Sequence, residues 1–214
     1  PHLAFQALGY ETAHHGDGRW NGVAIASRIG LTDVQVGFAE PLDPDAETRI
    51  ITARCGGTTV CSVYVPNGRS LDSDHYIYKL DWLAKLRDHL SQVASPDEEV
   101  AVCGDFNIAP ADIDVWSPEA FVGATHTSQA ERDSLEKLES WGLVDAFRKV
   151  YSEGGLFTYW DYQAGDFHEH RGMRIDLILA SAPLAERISW AVVDRNARKG
   201  KLPSDHAPLL VDFN

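Results

Sequence analysis

Basic residues are scarce: 19 lysines and arginines stand against 32 aspartates and glutamates, a formal net charge of −13 with neutral histidine. That balance excludes polyanion binding by net charge alone and leaves open a phosphate-handling site that works through a bound cation. Cysteine is scarcer. Cys55, Cys61 and Cys103 are three in number and lack the CxxC spacing of a zinc site. They exclude a disulfide framework and make a reducing cytoplasm the expected compartment. No apolar run approaches the roughly 18 residues of a transmembrane helix, and no signal peptide opens the chain, so no membrane partner is expected. Repeats and low-complexity stretches are absent. Methionine occurs once, at Met173, and the chain opens at Pro1; removal of an initiator methionine before proline and a missing N-terminal segment both account for this.

What is present suits one large domain over residues 1–214, with ample chain for a core. Gly22–Ser27 reads as a buried strand. Thr48–Cys55 and Thr58–Val65 are β-branched runs joined by Gly56-Gly57, a hairpin signal because both glycines accept positive φ. The spacing of Ile77, Leu80, Leu83, Leu90 and Val93 predicts a helix over Ser73–Val93, with Lys79, Lys85, Arg87 and Asp88 on its other faces. Glu99–Cys103 is a short apolar strand, and Ser128-Gln129-Ala130-Glu131 has capping-box spacing before a helix that stops near Gly142. Phe157–Trp160, Arg174–Ala180, Ile188–Asp194 and Ala207–Phe213 read as further strands. Hairpin-linked strands with helices outside imply an α+β layered sandwich rather than a wound βαβ sheet.

Polar residues gather at the strand ends. Gly104-Asp105-Phe106-Asn107 follows a strand and would expose Asp105 and Asn107 toward one side. There an ionised Asp can accept a proton from water and an Asn amide can donate to a phosphoryl oxygen, unless the segment is simply a turn. Asp176 is a lone carboxylate in the apolar run Arg174–Leu179 and needs a partner, either Arg174, a backbone donor or a catalytic group. His206 lies in Ser204-Asp205-His206-Ala207-Pro208, where a carboxylate such as Asp176 could hold its tautomer while the other ring nitrogen faces a phosphate. Tyr64 ends a strand beside Pro66-Asn67-Gly68, placed either for packing or to reach a phosphate. His168-Glu169-His170 is expected to be exposed rather than metal-binding, and His14–Arg19 reads as a polar loop.

Six segments, in order, carry a resemblance: Tyr64–Gly68, Gly104–Pro110, Trp141–Arg148, Thr158–Tyr162, Arg171–Asp176 and Ser204–Pro208. Together they resemble the bacterial exonuclease III family over about Gly22 to the C-terminus. The GDFN and SDH segments occur across the wider endonuclease/exonuclease/phosphatase superfamily, whereas WGLVDAFR, YWDY and RGMRIDLILAS are narrower and select the abasic-site nucleases.

The resemblance implies a four-layer αββα sandwich of the DNase I type and a monomeric, divalent-metal (Mg²⁺ or Mn²⁺) phosphodiesterase acting on duplex DNA. The implied activities are incision at abasic sites, 3′→5′ exonuclease and 3′-phosphatase. By position, Asp105 would serve as general base or orient the attacking water, and Asn107 would hold the phosphate. Asp176 would pair with His206 against the scissile phosphate, and Tyr64 would contact that phosphate or the leaving group. Asp205, Asp105 and Asn107 would lie at the metal. Asn67, Arg69, Arg171, Phe157 and Trp160 would meet DNA, the two aromatics around a flipped sugar unless they are core. The family's first strands, with a functional Asn and the metal-binding Glu, have no counterpart here, since Glu11 stands in the different context Gly9-Tyr10-Glu11-Thr12. A fragment of a longer protein is therefore expected. Two other readings stand beside the nuclease: a superfamily phosphoesterase acting on RNA, inositol phosphates or lipids, and a truncated, inactive DNA-binding form.

Overall fold

The structure, a computed structural model, describes residues 2–18, 20–39 and 47–214. Pro1 and Arg19, both named above, lie outside the described residues. A short helix α1 (His2–Ala7) precedes the hairpin of β1 (Glu11–Asp17) and β2 (Asn21–Ser27). The central sheet is built from β3 (Thr32–Val36), β4 (Ile50–Cys55), β5 (Thr58–Tyr64), β6 (Val100–Asp105), β7 (Leu143–Asp145) and β8 (Asp176–Ser181), in the order β3-β4-β5-β6-β8-β7. Helices α2 (Asp74–Val93) and α3 (Gln129–Trp141) follow β5 and β6, and two four-residue helices, α4 (Asp166–Glu169) and α5 (Ala182–Ala185), flank β8. The chain ends in the hairpin of β9 (Ile188–Val193) and β10 (Leu209–Phe213).

Strand alternation gives the sheet two apolar faces. Ile50, Cys61, Val63, Val102, Leu177 and Leu179 face Leu83, Leu86, Leu90, Leu135 and Leu138 of α2 and α3. On the opposite face, Ile51 and Ala53 meet Val23 and Ile25 of β2, while Ala101 and Ala180 meet Ile188 and Val211 of the last hairpin. The layers are therefore helices, a six-stranded sheet and two hairpins, with α1 along β1: a mixed α+β sandwich of the expected kind. Among the described residues no helix is long and apolar enough to cross a membrane. All three cysteines are free.

Local signals hold well. Gly56 takes φ +61° in the β4–β5 turn, Ser73 caps α2 through His75 N–H at 3.2 Å, and Ser128 and Glu131 close a reciprocal capping box on α3.

Three readings change. His14–Asp17 is strand rather than loop, because pairing with apolar β2 outweighs its weak strand propensity. Phe157–Trp160 is not a strand: only Tyr159 makes isolated bridges, to Met173 and His206. The buried face of α2 runs through Lys79, Trp82, Leu83, Leu86, His89 and Leu90, so Ile77 points to solvent and Lys79, expected on another face, points inward. Strands β3 and β7 carried no readable signal.

Candidate active site

The sheet register builds the site. Tyr64, the last residue of β5, is the cross-strand neighbour of Asp105 on parallel β6, and Asp105 is in turn the neighbour of Asp176 on antiparallel β8. Three residues far apart in sequence thus stand in one row on one face, since neighbours in register share a face. Gly104 makes the approach possible. Its φ is +146°, and a Cβ there would lie 1.9 Å from the Val63 carbonyl oxygen.

His206 reaches the row from the segment before β10. Its Nδ1 lies 2.7 Å from Asp176 Oδ2, and its ring packs against Tyr159 at 5.0 Å with the two planes tilted by 60°. The backbone fixes this approach: Ala207 N–H donates to Thr158 O at 2.7 Å and Trp160 N–H to Asp205 O at 3.0 Å. Thr158, fully buried, accepts the N–H groups of Ile175 and Asp176 at 3.1 Å each. The carboxylate left open by sequence is therefore paired with the imidazole and not with Arg174. Arg174 instead lies buried between Asp114 (2.6 Å) and Asp145 (2.8 Å). This network explains why the RGMRID and WGLVDAFR segments occur together: each supplies one pole of a buried ion cluster.

The charges in the row oppose one another. Burial and the neighbouring Asp176 carboxylate push Asp105 up to about 7, against the opposing pull of His206 and Lys79. Burial alone would lower His206, but the bond and charge of Asp176, with Asp105 and Asp205, raise it above the ordinary imidazole value. A cleft of about 480 Å³, lined by Cys103, Gly104, Asp176, Ser204, His206 and Pro208, opens beside the pair.

Asn107 stands beside Asp105. It is buried, its side-chain N–H groups donate to Val65 O (2.9 Å) and Asp105 Oδ2 (3.2 Å), and its backbone N–H donates to Asp105 Oδ1 (2.8 Å). Its Oδ1 accepts from Asn67 Nδ2 at 3.2 Å and lies 3.2 Å from His126 Nε2. With both ends of the amide engaged, Asn107 orients Asp105. Trp160 and Phe157 are corrected as DNA contacts. Trp160 is 0% exposed and Phe157 3%, packed with Ala207 and Phe167, so neither presents a face to a ligand. The sequence pattern around them looked like a contact loop because the same segment carries Thr158 and Tyr159, which do border the site.

Of the remaining candidates, Asn67 and Arg69 are exposed on the loop after β5, beside a second cleft of about 420 Å³. Arg171 pairs with Asp166 at 2.8 Å near the Trp116 ring. Asp205 adjoins His206, half-buried. Sequence reasoning missed Arg49, whose guanidinium lies 4.7 Å over the Tyr64 ring, because it sits in a residue run read only for strand propensity. It also missed Lys79, whose position four residues before Leu83 and seven before Leu86 was a readable sign of the buried face.

A histidine–carboxylate pair and a crowded Asp at the open end of a layered sheet define a phosphoesterase of the DNase I-like fold. The sequence pattern of the Endonuclease/Exonuclease/phosphatase family matches residues 1–206, further toward the N-terminus than Gly22. The chain is 32% identical over 226 residues to exodeoxyribonuclease III of Haemophilus influenzae, covering 100% of this chain and 84% of that one. It is 30% identical over 196 residues to an exodeoxyribonuclease of Bacillus subtilis, covering 91% and 75%. Among solved structures it superposes at TM-score 0.95 and 36% identity on an AP endonuclease from Archaeoglobus fulgidus, covering 100% of this chain and 83% of that one. It also superposes at 0.94 and 36% identity on a 3′ phosphatase from Neisseria bound to a product DNA hairpin, with the same coverage. The chain belongs to the endonuclease/exonuclease/phosphatase family, and within it to the exodeoxyribonuclease III group of DNA-repair nucleases.

Proposed function

We propose that the protein, acting as one domain and one monomer in the cytoplasm, hydrolyses phosphodiesters of duplex DNA at abasic sites and 3′ ends. Its implied activities are those of an AP endonuclease, a 3′→5′ exonuclease and a 3′-phosphatase. The observation that carries this reading is the Tyr64–Asp105–Asp176 row with His206 bonded to Asp176. In this reading Asp105, aligned by Asn107 through both carboxylate oxygens, takes the proton of the attacking water. His206, with Nδ1 committed to Asp176, turns Nε2 toward the phosphate and stabilises charge as it builds. Tyr64 meets the leaving oxygen, while Asn67, Arg69 and Arg171 contact the DNA backbone.

Among the described residues, no three His, Cys, Asp or Glu side chains gather into a metal cage. The donors present suit a hard cation nonetheless, because Mg²⁺ is commonly held by one or two carboxylates and completed by water and substrate phosphate. The fit is in the row itself: Asp105 and Asp176 are facing carboxyl groups in register, and their repulsion with burial outweighs the pull of His206 and Lys79 on Asp105. Asp105 and Asp205 would hold Mg²⁺ or Mn²⁺, which when bound polarises the phosphoryl group and favours the ionised carboxylate.

The test is cleavage of a labelled duplex carrying one abasic site, with a 3′-phosphorylated nick alongside. Magnesium-dependent incision abolished by EDTA is expected. Full activity in EDTA, or a folded protein that binds the duplex and never cuts it, would reject the reading.

A further inference from the structure

Lys79 is fully buried, a costly position for an ammonium unless every N–H is spent. Its three protons have three acceptors: the carbonyl oxygen of Asn107 at 2.6 Å, that of Asn67 at 3.2 Å, and Glu131 Oε1. Glu131, also fully buried on the first turn of α3, takes in addition the Thr125 hydroxyl (2.7 Å), the His126 N–H (2.9 Å) and the Ser128 N–H (3.0 Å). Two loops that leave neighbouring strands, one after β5 with Asn67 and one after β6 with Asn107, are thus gripped from beneath by one ammonium.

The grip matters because of the conformation it holds. Asn107 has φ +51°, in the left-handed region. In that conformation its backbone N–H meets one oxygen of Asp105 while its amide meets the other. Asparagine tolerates this region better than most residues but does not prefer it. The route from Lys79 to Asp105 is therefore two hydrogen-bonded links, through the Asn107 carbonyl and then its two N–H donors. Asn67 closes the set from the side, donating to Asn107 Oδ1 while its own carbonyl is held by Lys79.

We infer that Lys79 is a positioning residue: by binding the Asn67 and Asn107 carbonyls it fixes the left-handed turn that aligns Asp105. The kinetic part of this inference rests on the nuclease reading above; the structural part does not. A blander role, neutralising Glu131, would leave the same coordinates, and the two roles separate in mutants. Lys79→Met strands a buried carboxylate and should destabilise the fold whichever role is real. Lys79→Met/Glu131→Gln removes both charges and should restore melting to within about 5 °C of Glu131→Gln alone.

If Lys79 only neutralises Glu131, the double variant regains full rate. If Lys79 positions Asn107, kcat on the abasic duplex stays down on the order of a hundredfold with KM within about threefold. The side-chain amide resonances of Asn107 and Asn67, read by ¹⁵N NMR without DNA, should move in the double variant and hold in Glu131→Gln. Wild-type kcat with unmoved amides in the double variant overturns the inference. Glu131→Gln, which keeps the ammonium on both carbonyls, should retain kcat within about threefold. A hundredfold loss in that variant overturns the inference as well, whether or not the double variant folds. Were the wild type itself unable to cleave DNA, the nuclease reading would fail while the amide shifts still decided the role of Lys79.

Discussion

Replacing Asp176 by Asn tests whether the His206–Asp176 pair acts as one unit. The bond is short, 2.7 Å, and joins side chains that are 30% and 21% exposed. A hydrogen bond to a charged group contributes about 1.5–3 kcal/mol, and partial solvent screening puts this one near the low end. The Asn variant keeps the shape and removes the charge. His206 then loses the Asp176 charge that raises it while the burial that lowers it remains, so its pKa should fall. The sign for stability follows. A histidine raised in the folded state contributes stability below its unfolded value of about 6.5 and loses it as pH rises through the folded value. Wild type should therefore exceed the variant in stability most clearly between about pH 5 and 6.5, with the gap closing above. A donor aimed at developing phosphate charge is worth roughly 3 kcal/mol, so Asp176→Asn and His206→Ala should each cost on the order of a hundredfold in rate. The double variant should be little worse than the more damaged single. Single-turnover cleavage, a ¹H NMR titration of His206 and circular dichroism measure all of this. Additive losses, or a His206 titration that does not move, would refute the pair.

Three further outcomes follow from particular contacts. Trp160→Ala should cost about 3–5 kcal/mol in urea unfolding, with activity falling only as the folded fraction falls, because the indole is core; wild-type stability with weakened DNA binding would restore the contact role. Arg174→Met should destabilise by about 3–5 kcal/mol by leaving Asp114 and Asp145 without their shared cation, and adding Asp114→Asn should recover part of the loss in thermal melts. Gly104→Ala should disrupt the β5–β6 pairing and abolish activity together with the cooperative unfolding transition, since its Cβ has no room beside Val63 O.

The elements legible from sequence were those with local causes. Gly56-Gly57 set a hairpin, Ser73 and the Ser128–Glu131 box began two helices, β-branched runs made β4 and β5, and an apolar run made β8. Strand β1 was not legible, because its polar residues become a strand only when β2 supplies the partner. The inward turn of Lys79 was overlooked because a charged residue on an apolar stripe is ordinarily read as solvated, and its compensating acceptors come from two loops and from α3, up to 52 residues away.

The same division holds for the site. Asp105, Asn107, Asp176, His206 and Tyr64 could be named from sequence, since chemistry-bearing residue types stood at strand ends in segments resembling one family. Sequence also determined the need of Asp176 for a partner, because a carboxylate in an apolar run must be satisfied wherever it lies. Which partner it takes, which residues face the cleft and which are core were decided by the tertiary structure alone. Register is a property of paired strands, so only the folded sheet puts Tyr64, Asp105 and Asp176 in one row. Burial likewise depends on what the rest of the chain packs above a side chain, and so Trp160 becomes core while His206, 46 positions later, meets Asp176.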